Sequence, residues 1–149
     1  GKLAETAKLM ALGVSEVISR EAFSEENPRP MLKEGYAAAV DVAGGTTLVN
    51  VIKSLSYGGS VAACGLVDSP ALSATVLPFI LRGVNLLGVD SVELPLAQKQ
   101  QVWNLFANEW ALTDIDSLAE TMVLAELPAV LAKVLAGGAV GRYVLDLRA

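Results

Sequence analysis

Few residues in this chain can do chemistry, and their types narrow the field. There is no histidine and a single cysteine, Cys64. That removes histidine general bases, Ser-His-Asp arrangements and most catalytic zinc sites, which depend on imidazoles or several thiolates. No metal set and no catalytic residue is assigned. What remains are small residues at suggestive places. Three apolar runs end in Val42-Ala43-Gly44-Gly45, Cys64-Gly65-Leu66 and Val89-Asp90-Ser91. In open parallel sheets, ligands bind outside the carboxyl ends of the strands. Glycine there lets backbone approach a ligand closely, though it equally serves to make tight strand-to-helix turns. Asp41 stands inside an apolar run and needs hydrogen-bond partners at that edge. Cys64 reads as a small buried strand residue. Trp103 and Trp110 read as packing, and Glu25-Glu26 as a solvated loop.

Elements must position these residues. Leu3, Ala7, Met10 and Ala11 share one face of a predicted helix that Gly13 ends. Val14–Ser19 reads as a strand. Residues 21–35 read as a polar loop around Asn27-Pro28-Arg29-Pro30, with a helical turn over Met31–Tyr36. Ala37–Ala43 reads as a strand buried on both faces. Thr46 is placed to cap a helix with Leu48, Val51, Ile52 and Leu55 on its apolar face, and Tyr57-Gly58-Gly59 to stop it. Strands follow at Ser60–Cys64 and Val84–Val89, separated by a loop over 68–75 and a helical turn or two over Leu77–Leu81. Pro95–Leu112 has the clearest helical pattern, with Val102, Trp103, Phe106 and Trp110 on one face. A strand near Leu118–Leu124, a helix over Ala129–Leu135 closed by Gly137-Gly138, and a strand over Arg142–Leu147 complete the chain. Strand, helix, strand, helix, strand implies crossovers and a parallel sheet. The fold class is therefore α/β: an incomplete, Rossmann-like, doubly wound parallel sheet with helices on both faces, plus a C-terminal strand-helix-strand segment. The expected domains are 1–117 and 118–149.

Composition bounds the partners. The chain has 149 residues, 53% hydrophobic, and a net charge of −5. An acidic chain offers no field for nucleic acid or an anionic bilayer. Its longest charge-free stretches fall short of a bilayer span. Mean hydropathy of +0.50 points to a large core or a surface that a partner covers. One cysteine excludes an internal disulfide. Gly1-Lys2-Leu3 leads straight into a helical pattern, so a cytoplasmic location is expected.

A dinucleotide fold normally opens with a strand and a G-x-G-x-x-G turn. The nearest match, Ala136-Gly137-Gly138-Ala139-Val140-Gly141, follows a helix and precedes a strand, which is the wrong context. It reads as a helix-ending turn. Lys2 falls where the second strand of such a fold would end, the place that reads the adenosine ribose. A cation there accommodates a 2′-phosphate. Lys2 and Arg20 could supply it, favouring NADPH over NADH. Residue type alone favours ordinary solvated charges.

The ordered run of residues adds a further reading. "ALGVSEVISR" (Ala11–Arg20), "AAVDVAGGTTLVNVIKSLSYGGSVAACGL" (Ala38–Leu66), "LPFILRGVNLLGVDSVE" (Leu77–Glu93) and "LAELPAVLAKVLAGGAVGRYVLDL" (Leu124–Leu147) resemble the medium-chain dehydrogenase/reductase superfamily. Within it they are similar to the zinc-free branch of acrylyl-CoA reductases and quinone oxidoreductases. The resemblance implies a reductase that uses NADPH to reduce an activated carbon–carbon double bond of an α,β-unsaturated carbonyl. It places Gly1 and Lys2 at the adenosine-phosphate turn and Arg20 beyond the following strand. Leu66, Ile80 and Ser91 match further cofactor contacts. Gly137 falls where relatives often carry Asn. The resemblance also implies that a catalytic domain, a first strand and a glycine-rich turn precede Gly1 in the family, so this chain matches the C-terminal half. Weak NADPH binding and no turnover by this chain alone are expected. A homo-oligomer is expected, either through antiparallel pairing of Val84–Val89 with its twin or through an open edge near Val40 or Val17. The competing reading is non-enzymatic: a truncated module acting in oligomerisation or partner binding.

Overall fold

A computed structural model describes residues 3–112 and 115–148. Gly1 and Lys2 therefore lie outside the described residues. The chain forms two compact units, Gly1–Pro95 and Leu96–Ala149. The boundary expected at residue 117 falls inside the second unit.

The first unit is built on a three-stranded parallel sheet in the order β1-β2-β3, with β1 Tyr36–Asp41, β2 Leu55–Ala63 and β3 Asn85–Gly88. α3 (Gly45–Ser54) connects β1 to β2, and α4 (Leu77–Arg82) connects β2 to β3. Leu48 and Ile52 lie one turn apart on α3, which aims both at the sheet. They form the core with Leu55, Val61 and Val84, and Ala39, Phe79 and Leu86 pack against it. Val61 stands between Ala39 and Leu86 in register, so the covered face is the one these three share. Of the two faces expected to carry helices, this one does. On the other face of this unit Val40 is 77% exposed and Leu87 52% exposed.

Several expectations are corrected. Ala37–Ala43 is not buried on both faces: Ala39 packs on the core, while Val40, pointing to the opposite face, is 77% exposed. Val14–Ser19 is not a strand. It has β-branched residues, but no described strand runs beside it, and a segment without a ladder partner is not a strand. Met31–Tyr36 is not helical: the Leu32 and Gly35 N–H groups donate instead to the carbonyls of Lys53 and Ser54, at 2.9 and 3.0 Å. Thr46 does not cap α3; Gly44 occupies that position, with φ +72°. Tyr57-Gly58-Gly59 does not end a helix. α3 stops at Ser54, and these residues make an irregularity within β2, where the register jumps between the Tyr36–Leu55 and Ala38–Ser60 pairs.

α1 (Thr6–Ala11), preceded by a 3₁₀ turn over Leu3–Glu5, and α2 (Glu21–Ser24) precede the sheet. The polar stretch after α2 is held by α3. Asn50 Nδ2 donates to the carbonyls of Phe23 and Glu25 at 2.8 and 2.7 Å, and Lys53 Nζ donates to that of Asn27 at 2.7 Å.

The second unit holds α5 (Leu96–Ala107), β4 (Ala119–Met122), α6 (Leu127–Leu135) and β5 (Arg142–Leu145). β4 and β5 pair in parallel across α6, the expected strand-helix-strand segment. α5 is shorter than its pattern suggests, and its aromatic stripe is not core: Trp103, Phe106 and Trp110 touch one another edge-on or tilted and are exposed.

Candidate functional site

The carboxyl rim of the three-stranded sheet brings two loops into close contact. Asp41 ends β1 and is 4% exposed. Its carboxylate accepts from the N–H groups of Ala43 (Oδ1, 3.3 Å) and Gly44 (Oδ2, 2.9 Å). Its main-chain carbonyl accepts from the Cys64 N–H at 2.9 Å and from Cys64 Sγ at 3.2 Å. The next two carbonyls continue the pattern: Val42 accepts from Val67 at 3.3 Å, and Ala43 from Asp68 at 2.9 Å. Gly44 and Ser69 form a parallel bridge.

Glycine is required where these loops meet. A Cβ on Gly44 would run into the Ser69 carbonyl oxygen, and one on Gly65 would stand 2.5 Å from the Val42 carbonyl oxygen. Gly44 also has φ +72° and ψ −159°, a region essentially reserved for glycine. The rim is thus a surface of main-chain atoms with apolar side chains around it. Val42, Leu66 and Val67 are all exposed there. Cys64 is exposed too, not buried, because β2 ends one residue before it.

Four of the residues expected in a cofactor site, Leu66, Ser91, Ile80 and Arg20, lie in the same unit as this rim. Leu66 follows the end of β2 and sits in the loop that packs on Val42-Ala43-Gly44. Ser91 follows β3, in a turn where Asp90 Oδ1 accepts from the N–H groups of Val92 and Glu93, both at 2.9 Å. Ile80 is exposed in the middle of α4. Arg82 at the end of that helix bonds the carbonyl of Leu55, which opens β2, so α4 is tied to the amino end of the sheet. Arg20 is exposed just before α2, and its carbonyl accepts from Phe23 and Ser24 at 3.0 Å. Gly137 belongs to the second unit. It ends α6 with φ +72°, its N–H donating to the Val134 carbonyl, and a Cβ there would meet nothing within 4 Å. Gly1 and Lys2 lie outside the described residues.

Residue types alone did not point to a second feature. A cleft of about 490 Å³ opens beside the start of α3, lined by Thr46, Asn50, Lys53, Asp68 and Ser69 among others. None of the described residues expected at the cofactor lines it. Asn50 Oδ1 is buried without a hydrogen-bond partner in its wall. A polar residue on the buried face of an otherwise apolar helix was the available signal.

Two titrating groups are displaced from their ordinary values. Glu21 is held below 4.5, first by a hydrogen bond to its own main chain and then by the Ser19 hydroxyl. Lys133 is held above 10.5 chiefly by hydrogen bonding to Tyr143, over whose ring its ammonium lies at 5.2 Å.

No family model matches this chain. Individual proteins do. Acrylyl-CoA reductase AcuI of Ruegeria pomeroyi is 40% identical over 146 residues, which take in 97% of this chain and 44% of that protein. The yhdH oxidoreductase of Salmonella enterica, solved in complex with NADP, superimposes with a TM-score of 0.88 at 35% identity. The chain is similar to the C-terminal part of these medium-chain reductases. The yhfP protein of Bacillus subtilis, solved with NAD bound, gives a TM-score of 0.91 at 36% identity. Both superpositions cover 99% of this chain and 45% of the reductase structure. The chain thus spans a little under half the length of the reductases it matches. Their likeness extends through the rim loops and strands described above. Among the described residues no helix is long and apolar enough to cross a membrane.

Proposed function

We propose that this chain is the cofactor-binding portion of an NADPH-dependent oxidoreductase of the acrylyl-CoA reductase type. The observation that carries the reading is the carboxyl rim. Gly44 and Gly65 bring two loops together there with no side chain between them, and structures similar to this chain are solved with NADP or NAD. Such a rim fits a dinucleotide, because its main-chain groups and small residues let a long, flat ligand lie against the strand ends. Leu66 would border the nicotinamide half, with Ile80 and Ser91 as further contacts. Arg20, with Lys2 and Gly1, would face the adenosine phosphate, where a cation selects the 2′-phosphate of NADPH over the hydroxyl of NADH.

When bound, the nicotinamide supplies the hydride that reduces an α,β-unsaturated carbonyl such as an acrylyl thioester. This chain's part is to hold and orient that ring. Much of the affinity for a pyrophosphate comes from a glycine-rich turn opening a helix, and no G-x-G-x-x-G follows a strand in this sequence. Weak binding and no turnover by this chain alone are the expected consequence. Titration calorimetry with NADPH and NADH tests the reading. NADPH should bind in the high micromolar range or weaker, NADH more weakly still, and Arg20→Ala should narrow the difference. Equal affinities for the two, or no heat with NADPH at millimolar concentration, would sink it.

A specific observation also favours association between copies. Among the described residues both outer strands of the sheet present an edge, and the face bearing Val40 and Leu87 is open in the first unit. Pairing of β3 with its twin across a two-fold axis would extend the sheet and protect one edge. This is compatible with cofactor binding, and also with a module kept for oligomerisation alone.

A further inference from the structure

We infer that Asp41 is a positioning residue: its carboxylate sets the conformation of Ala43-Gly44 and, through them, holds the Leu66–Ser69 loop in place as one wall of the rim. The inference rests on the reading of that rim as the cofactor site.

The argument starts from burial. A carboxylate that is 4% exposed at the end of an apolar strand carries a desolvation cost, and hydrogen bonds must offset it. Asp41 receives them from two consecutive N–H groups, those of Ala43 and Gly44. Bonds from N–H to a carboxylate are stronger than neutral ones. They fix the turn that leaves β1 with Gly44 at positive φ and begins α3, whose Leu48 N–H donates to the Gly44 carbonyl at 3.1 Å. Once that turn is set, the Ala43 carbonyl points at the neighbouring loop and accepts from the N–H groups of Asp68 and Ser69, at 2.9 and 3.4 Å. The Gly44–Ser69 bridge then closes the pair. Asp41's hydrogen bonds reach neither Asp68 nor Ser69; it acts on them through the two residues between. Cys64 is held more directly, by Asp41's own carbonyl. Asp41 thus acts twice: its main-chain carbonyl holds the end of β2, and its carboxylate, through Ala43 and Gly44, holds the loop that follows Leu66.

Asp41→Asn is the informative variant. It keeps the shape but has one acceptor oxygen and one NH₂ group, so whichever way the amide turns, either Ala43 or Gly44 N–H faces a donor. Hydrogen exchange on the ¹⁵N-labelled chain reads the consequence. The Asp68 and Ser69 amides should exchange about ten-fold faster while the Val61 amide, in the centre of the sheet, keeps its rate. A uniform increase at all three would mean that Asp41 only stabilises the fold, and no change at Asp68 and Ser69 would mean that the loops are not coupled through it; either overturns the inference. Should Asp41→Asn fail to fold, Asp41→Ser, whose hydroxyl can still accept one N–H, carries the same test at smaller magnitude. Calorimetry with NADPH separates the two claims. If the unaltered chain binds no NADPH, the proposed function fails and the exchange result still decides the coupling. If it binds NADPH and Asp41→Asn binds equally well, the role of Asp41 toward the cofactor is overturned.

Discussion

Arg82 and Glu34 form an ion pair, Nε to Oε1 at 3.3 Å, that ties the end of α4 to the strand entrance of β1. The guanidinium is also spent on main chain: it donates to the carbonyls of Lys53, Leu55 and Leu32 at 2.9, 3.2 and 2.7 Å. Glu34 Oε2 in turn accepts from the Tyr57 N–H at 3.1 Å. Four segments thus meet on one planar cation at the amino end of the sheet.

Arg82→Ala should destabilise the chain by about 2–4 kcal/mol, because three carbonyls lose a charged donor in a mostly buried place. Arg82→Lys should recover little, since an ammonium cannot match the spread of the fork. Glu34→Gln should cost under about 1 kcal/mol, its side chain being 47% exposed. Urea unfolding of the three variants reads the order, and a Glu34 effect as large as that of Arg82 would contradict it.

Ile52 is fully buried beneath the sheet. Ile52→Ala should cost about 2–5 kcal/mol through lost transfer energy and the cavity left behind. Trp103→Ala, on the exposed stripe of α5, should cost much less. Thermal or urea denaturation distinguishes them.

Gly44 and Gly137 share φ +72° but not their surroundings. Gly44→Ala should unfold the rim or displace the Ser69 loop, because both the backbone region and the space forbid a Cβ. At Gly137 space is open, and Asn tolerates the left-handed region at a helix end. Gly137→Asn should change stability by under about 0.5 kcal/mol and Gly137→Ala should cost about 1 kcal/mol. This also accounts for the interchange of Gly and Asn that the resemblance implies there.

Glu21 gives a pH-dependent contribution with a definite sign. Its folded value lies below 4.5, the ordinary one, so the charged form is favoured by folding. Its contribution is present above the ordinary value and is lost as pH falls through the lower folded one. Carbon-detected NMR should place the Glu21 midpoint below 4.5. Glu21→Gln and Ser19→Ala should each weaken the acid-side change at α2. A midpoint above 4.5 would refute the assignment.

Val40 projects from the open face of β1. If this face or edge mediates association, Val40→Lys should lower the sedimentation coefficient at micromolar concentration while leaving thermal stability nearly unchanged. If association runs through β3, the same variant should have no effect and Leu87→Lys should act in its place.

Local rules were sufficient for much of this protein. Gly13 and Gly137 mark helix ends in the sequence and adopt positive φ there. The spacing of Leu48 and Ile52 gives the buried face of α3, and strand-helix-strand alternation gives a parallel sheet, because these depend on neighbours within one or two turns. The rim glycines were legible as well, as strand-ending Gly44 and Gly65. What only the tertiary structure decided depends on partners distant along the chain. Val14–Ser19 has strand-forming residues and no described strand beside it. Tyr57-Gly58-Gly59 looks like a helix stop and becomes a strand irregularity, because β1 pairs on both sides of it. Ala37–Ala43 has the composition of an interior strand and lies at an edge. Asp41 could be expected to find hydrogen bonds; that they run through Gly44 to Ser69 follows from two loops packing without a side chain between them, a contact between segments that no local pattern encodes.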